Sequence, residues 1–290
     1  MTADTRDGIA RIGVVGAGTM GTGIAQCLAQ HDFRVVVVET DPAALARARD
    51  ELHRQLRLAK LLGRGAAVTD PAATAARVTW VSEIAALADI DCVIESVPER
   101  PDLKAAVFAD LDRHCPPGAV LATGTSAIPV ARLAARVSRP DRVVGLHFMN
   151  PAPLTAAVEV VRGPATSERT LVTAVGLVEA LGKQPVVVGD GPGFVLNRLL
   201  MQSIAAAAER AGADDCDAAT VDAVFERCLG HPMGPLRTAD LIGLDNVADT
   251  LEVLRAETGD ERYTVPAALA DLVAAGRLGR KTGRGFHDYH

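Results

Sequence analysis

The stretch that most limits what this chain can fold into runs from Arg11 to Glu39. Arg11 to Gly16, RIGVVG, is a short apolar run rich in β-branched residues, the pattern of a buried strand. Gly16, Gly18 and Gly21 follow in GAGTMG. Thr19 to Gln30 then reads as a helix, and Arg34 to Glu39 as a second strand ending in an acid. Strand, glycine turn, helix, strand and acid, in that order, make a dinucleotide-binding unit. Gly16 permits the tight turn, Gly18 lets backbone amides approach a pyrophosphate, and Gly21 lets helix and strand pack closely. Thr19 and Met20 open the helix whose N-terminus attracts the phosphates, and Glu39 suits the ribose hydroxyls. Glu39 repels a 2′-phosphate, and Thr40-Asp41 supplies no arginine to replace it, so the cofactor expected is NAD. The alternative is a glycine turn with a structural role only; the flanking strand, helix and acid argue against it.

The remaining 251 residues of the 290 beyond Glu39 are enough for a second domain, and 49% hydrophobic residues can bury a full core. Only 3% are aromatic, so that core is built from Ala, Val and Leu. A net charge of −6, with no basic stripe carrying interleaved aromatics, argues against nucleic-acid binding. The five cysteines are scattered without a CxxC pair, so neither a disulfide framework nor a metal site is expected. MTADTRDGIA at the start has no apolar run of a signal or transit peptide, and no segment is long and apolar enough to span a membrane. The setting expected is cytoplasmic.

Along the chain, a helix capped by Asp41 with Pro42 at its first position runs to about Gly63. Arg57, Lys60 and Arg64 fall on one face of this region: a solvated basic surface or, in the functional reading, a phosphate-binding face for a large acyl carrier. Further strands are expected at Val78 to Val81, Asp91 to Val97, Ala119 to Thr123 and Gln184 to Val188, with a helix through Lys104 to Leu111. Glu95, Glu99, Lys104 and Ser126 then lie near the carboxyl ends of strands, where open parallel sheets bind ligands. For Ser126 the plain alternative is a serine in a surface turn.

Val143 to Val161, VVGLHFMNPAPLTAAVEVV, reads as strand, proline turn, strand. If the strands pair as a hairpin, His147 before the turn faces Glu159 after it. A carboxylate there fixes the imidazole tautomer and stabilises its protonated form, the equipment of a general base for an alcohol. A structural pair at a sheet edge is the alternative. Asp190-Gly191-Pro192-Gly193 marks the expected boundary between a domain at 1–190 and one at 191–290. Beyond it the pattern is helical: Phe194 to Ala211, Val221 to Leu229, Thr238 to Glu257 broken near Gly243, and Pro266 to Ala275. The long first helix is mostly apolar, which predicts burial in a homodimer. The glycine-rich basic tail reads as a tight, ordered turn. The fold class expected is α/β, a Rossmann-like doubly wound sheet followed by an all-α C-terminal domain.

With these residues in hand, the chain resembles the short-chain 3-hydroxyacyl-CoA dehydrogenases, including 3-hydroxybutyryl-CoA dehydrogenases. The resemblance spans Arg11 to Tyr289 and rests on GAGTMGTGIAQ, VIESVPE, HFMNPAPL with VEVV, GPGFVLNRLL, GHPMG, DLIGLD and GRKTGRGF. It implies an NAD-dependent enzyme of fatty acid metabolism that interconverts 3-hydroxyacyl and 3-oxoacyl thioesters. It also implies catalytic roles for His147 and Glu159, substrate-placing roles for Ser126 and Asn197, and a hold on the nicotinamide end of the cofactor for Glu99 and Lys104. Coenzyme A is the implied acyl carrier; an acyl carrier protein is the alternative, as in dehydrogenases of polyketide extender-unit biosynthesis. The family commonly reads NTSS where this chain has Gly124-Thr125-Ser126-Ala127. It often has MKL where this chain has Thr155-Ala156-Ala157, and an acid or apolar residue at Arg237. Two rivals stand beside this reading. A dehydrogenase of free hydroxy acids resembles it in the glycine motif but uses a lysine, against which the His147–Glu159 pair speaks. A non-catalytic NAD-binding protein of the same fold has no need of Ser126, His147, Glu159 and Asn197 together.

Overall fold

A computed structural model describes residues 9–63, 70–212 and 216–289. Contacts divide the chain into two compact units: Met1–Thr125 with Pro129–Gly191, and Ser126–Ile128 with Pro192–His290.

The first unit is built on eight strands: β1 (Arg11–Val15), β2 (Arg34–Val38), β3 (Val78–Val81), β4 (Cys92–Glu95), β5 (Val120–Thr123), β6 (Val143–Phe148), β7 (Ala157–Arg162) and β8 (Gln184–Gly189). They form one sheet in the order β3-β2-β1-β4-β5-β6-β7-β8. The strands from β3 across to β6 pair in parallel, β6 and β7 pair antiparallel, and β7 and β8 pair in parallel. The central strands β4, β5 and β6 are buried along their whole length, as apolar runs covered on both faces by helices must be. At the edge, β8 leaves Val186 and Val187 exposed.

The helices of this unit are α1 (Thr19–Gln30), α2 (Pro42–Leu62), α3 (Pro71–Ala75), α4 (Pro101–His114), α5 (Val130–Ala134) and α6 (Glu168–Ala180). α1 has the bounds its sequence predicts. In α2, the Asp41 side chain accepts from the amide of Ala43, and Gly63 closes the helix in the left-handed region at φ 60°. α6 was not anticipated, yet two parallel strands such as β7 and β8 need a crossover. Its signal was present: Ser167 caps it, and Leu171, Ala174 and Val178 recur at helical spacing on its buried face.

The second unit is helical, with α7 (Leu196–Ala211), α8 (Ala218–Leu229), α9 (Pro235–Ile242), α10 (Leu244–Thr258) and α11 (Ala267–Ala274). α7 starts two residues later than its apolar run suggests. Gly193 and Phe194 both take positive φ, 69° and 51°, so the chain turns through the left-handed region before the helix can form. A Cβ at Gly193 would lie 2.7 Å from Leu254 Cδ2 and 3.0 Å from the Arg198 amide nitrogen, which with its positive φ makes glycine the favoured residue at this turn. The core joins Met201, Ile204, Leu251 and Leu254 to Ala127 from the short inserted segment.

Two fully buried carboxylates tie the tail into this unit. Asp240 accepts from the amides of Phe286 and His287 and from the Tyr289 hydroxyl, all at 2.9 Å. Asp222 accepts from the amides of Leu236 and Arg237 and lies 2.7 Å from Nε2 of His287. Burial and the Asp240 carboxylate push the Tyr289 phenol up to about 12, which keeps it a donor. The ordered tail thus has its cause in charges placed 46 to 65 residues earlier in the chain.

Candidate active site

The sheet order changes direction between β1 and β4, and such a switch opens a crevice at the carboxyl ends of the strands. The glycine turn lies there. Gly16 takes φ 97°, and a Cβ on it would meet the Ser96 carbonyl oxygen at 2.7 Å. A Cβ on Gly21 would lie 1.9 Å from the carbonyl oxygen of Gly16, which excludes every side chain. At Gly18 a Cβ would meet nothing within 4 Å. Two of the glycines are therefore demanded by the protein's own packing, whereas the third borders open space.

Thr19 and Met20 form the first turn of α1, whose N-terminus is not capped by a side chain, unlike those of α2, α6 and α8. Its amides and dipole favour an anion. Glu39 follows β2. One carboxylate oxygen accepts from the Ala17 amide at 3.0 Å and the other from the Asp41 amide at 3.1 Å. Both oxygens keep acceptor capacity for hydroxyl groups. Open space at Gly18, an uncapped helix end and an acceptor-only group at the second strand together suit a dinucleotide whose adenosine ribose carries two hydroxyls.

A charged cluster lies at the ends of β4 and β5. Glu95, wholly buried, accepts from Lys104 Nζ and the Val97 amide at 2.7 Å and from Thr123 Oγ1 at 2.8 Å. Lys104 Nζ also donates to the Val97 carbonyl at 3.1 Å and pairs with Glu99 at 3.3 Å. Thr125 Oγ1 donates to the other oxygen of Glu99. Burial pushes the Glu95 carboxyl above the usual carboxylate range, against the pull of Lys104. Burial works to lower Lys104, but the carboxylates of Glu95 and Glu99 outweigh it and hold the ammonium above its usual range. The Lys104 ammonium, the Val97 amide and the Thr123 hydroxyl all donate to the Glu95 carboxyl, an arrangement that favours its charged form against the burial. Thr123 and Thr125 escaped the sequence reading because only the fold brings them to these carboxylates.

His147 lies on β6 and Glu159 on β7, directly opposite each other in the antiparallel register. The strand runs one residue past His147, to Phe148. Nδ1 of His147 lies 2.7 Å from Oε2 of Glu159, and the imidazole side chain is 4% exposed. A carboxylate accepts only, so the proton of the neutral ring sits on Nδ1 and the basic lone pair on Nε2.

In the second unit, Asn197 is buried in the first turn of α7, and its amide nitrogen donates to the Ser126 carbonyl at 3.0 Å. The next residue, Ala127, accepts from the Gly193 amide at 3.0 Å. Ser126 and Asn197, 71 positions apart in the chain, are thereby brought together. Lys60 is exposed near the end of α2, beside Arg57. Arg64 lies outside the described residues.

Residues 11–191 match the model of the 3-hydroxyacyl-CoA dehydrogenase NAD binding domain, and residues 193–289 that of the 3-hydroxyacyl-CoA dehydrogenase C-terminal domain. A probable 3-hydroxybutyryl-CoA dehydrogenase of Bacillus subtilis is 40% identical over 97% of this chain and 98% of its own length. The crystal structure of Mycobacterium tuberculosis FadB2 aligns with a TM-score of 0.92 at 38% identity, covering 97% of this chain and 99% of that one. The (S)-3-hydroxybutyryl-CoA dehydrogenase of Ralstonia eutropha aligns with a TM-score of 0.87 at 38% identity, with the same coverage. The open glycine turn, the acid on the second strand and the matches to both family domains agree: this chain belongs to the family of NAD-dependent 3-hydroxyacyl-CoA dehydrogenases.

Proposed function

We infer that this enzyme interconverts short 3-hydroxyacyl and 3-oxoacyl thioesters, of the 3-hydroxybutyryl-CoA kind, with His147 as general base and acid. The observation that carries this reading is the 2.7 Å contact between His147 and Glu159 in a chain of this family. Nε2 of His147 takes the proton of the substrate hydroxyl, and the Glu159 carboxylate stabilises the imidazolium that forms. When bound, NAD supplies the acceptor for the hydride that leaves the hydroxyl-bearing carbon. Ser126 and Asn197 hydrogen-bond the acyl substrate and align its reacting oxygen, and the grip of the Ser126 carbonyl on the Asn197 amide keeps that side chain in one orientation. In the reverse direction the imidazolium returns its proton to the nascent alkoxide.

Glu99 and Lys104 belong to the nicotinamide end of the cofactor site, and Lys60 and Arg64 to the binding of the acyl carrier. Homodimers form through the helical unit, a reading supported by the exposed Val195, Leu196 and Leu199 at the start of α7. A reducing cytoplasmic setting accords with five free cysteines.

A carrier-protein thioester is the second reading, favoured by one observation. Leu58, Leu61 and Leu62 are exposed at the end of α2, on the same turns as Arg57 and Lys60. Apolar residues among cations suit an acidic protein surface better than a nucleotide. Matched 3-hydroxybutyryl thioesters of coenzyme A and of a carrier protein, assayed with NAD, decide between them. Efficient turnover of the coenzyme A ester supports the first reading. Negligible turnover of it beside rapid oxidation of the carrier-bound ester replaces the first with the second.

A further inference from the structure

Glu95 lies at the point where the sheet order changes direction, as the last residue of β4, and has no solvent exposure. Its backbone and side chain hold both strand-end loops. The Val97 amide and Thr123 hydroxyl bind its carboxylate, and the Gly124 amide binds its carbonyl at 2.7 Å. Glycine at 124 makes this closeness possible, since a Cβ there would lie 2.9 Å from that carbonyl oxygen.

Lys104 offers three ammonium hydrogens, and it has three partners inside the protein: Glu95, Glu99 and the Val97 carbonyl. Its capacity to donate is thus filled internally. Of the three charged groups, Glu95 and Lys104 are 0% and 1% exposed, and only Glu99, at 25%, reaches the surface. The array is a chain of charges, minus, plus, minus, whose buried first two members cancel. The three side chains together sum to minus one, and Glu99 is their exposed member.

Oxidised nicotinamide carries a positive ring charge and reduced nicotinamide none. A carboxylate at that end therefore favours the oxidised form. If Glu95 did not neutralise Lys104, the lysine would neutralise Glu99 instead, and this preference would be lost.

We propose that Glu95 is a positioning residue that sets the balance between NAD and NADH binding, by engaging Lys104 so that Glu99 keeps its net negative charge toward the nicotinamide. This rests on the reading that Glu99 stands at the nicotinamide end. Glu95 itself touches no cofactor; it acts through Lys104.

The test is the ratio of dissociation constants for NAD and NADH, measured by NADH fluorescence and by competition with NAD on the full-length protein. Glu95→Gln keeps one acceptor oxygen, for the Val97 amide, turns an amide NH2 toward the Thr123 hydroxyl, which must then accept, and removes the charge. It should weaken NAD relative to NADH by roughly 3- to 10-fold, the scale of one unit charge about 4 Å away under water-like screening. Adding Lys104→Met restores the outward charge of minus one; the loss of Lys104 from the cofactor site weakens NAD and NADH alike and cancels in the ratio, so the double variant should return to the native ratio while both affinities fall. A purely structural Glu95 would change melting temperature and both affinities together and leave the ratio alone, and that result overturns the proposal. So does a double variant whose ratio stays displaced, and this comparison with the native protein stands even if the single variant does not fold. Glu99→Gln separates the two layers. If it leaves the ratio unchanged, the placement of Glu99 fails and the proposal with it. If it shifts the ratio while Glu95→Gln does not, the placement stands and the role of Glu95 is refuted.

Discussion

His147 and Glu159 are opposite residues of an antiparallel strand pair, and their side chains meet at 2.7 Å on a part of the sheet where both are largely buried. Two rigid strands fix the separation, so the imidazole needs no loop motion to hold its tautomer. His147→Ala should lower kcat by about 10²- to 10⁴-fold while NADH binding is retained. Glu159→Gln should cost less, since the ring keeps a hydrogen-bonding partner but loses the charge that stabilises imidazolium. Oxidation requires the neutral ring and reduction the protonated one. Accordingly kcat/KM for oxidation, which releases a proton, should rise with pH, and that for reduction, which takes one up, should fall. Near-normal kcat in His147→Ala would remove this residue from the mechanism.

Cofactor choice should follow Glu39. Its carboxylate is anchored by two backbone amides, so it cannot swing away from an added phosphate. NAD should be strongly preferred to NADP in kcat/KM. Glu39→Ala should narrow the gap mainly by weakening NAD, by roughly 10- to 100-fold, the worth of a charge-assisted hydrogen-bond pair to the ribose. Equal efficiency with both cofactors in the native enzyme would refute the role of Glu39.

Thiol reactivity should divide the five cysteines. Burial pushes Cys27 and Cys115 up to about 11 and Cys92 up to about 12, so at pH 8 all three are protonated as well as inaccessible. Cys216 is partly exposed and Cys228 exposed. A disulfide reagent at pH 8 should therefore label these two in the native protein and the other three only on unfolding. Rapid labelling of all five would contradict this burial.

Assembly should depend on the start of α7. Leu199 is 64% exposed on a helix whose other face is packed in the core. Sedimentation of the native protein at micromolar concentration should give a dimer, and Leu199→Glu should shift it toward monomer by burying a charge in the interface. A native protein that sediments only as monomer would remove the dimer.

How much of this was legible in the sequence depends on the range of the interaction. The pattern of the glycine turn and α1 is local, and Gly21 has its reason five residues earlier at the Gly16 carbonyl, whereas the Ser96 carbonyl that crowds Gly16 comes from a distant strand end. The His147–Glu159 pairing was legible because a hairpin across the proline turn sets a residue just before the turn opposite one just after it. The Glu95–Lys104 pair was not, because nothing in VIESVPE says that a lysine nine residues later is itself buried. Phe194 was read as helical from its apolar neighbours; its left-handed backbone is set by the preceding Gly193 turn packed against Leu254. The tail lock on Asp222 and Asp240 was equally hidden, since an aspartate on a helix is ordinarily a solvated residue.

The short segment Ser126–Ile128 also governs how the molecule can be dissected. Ala127 belongs to the core of the helical unit and accepts from the Gly193 amide, although it sits between β5 and α5 in the chain. The chain therefore changes unit at 125/126, at 128/129 and at 191/192. No single cut yields two intact pieces. A recombinant fragment beginning at Pro192 lacks a piece of its own core, and exchange of the helical unit between relatives must carry residues 126–128 along with it.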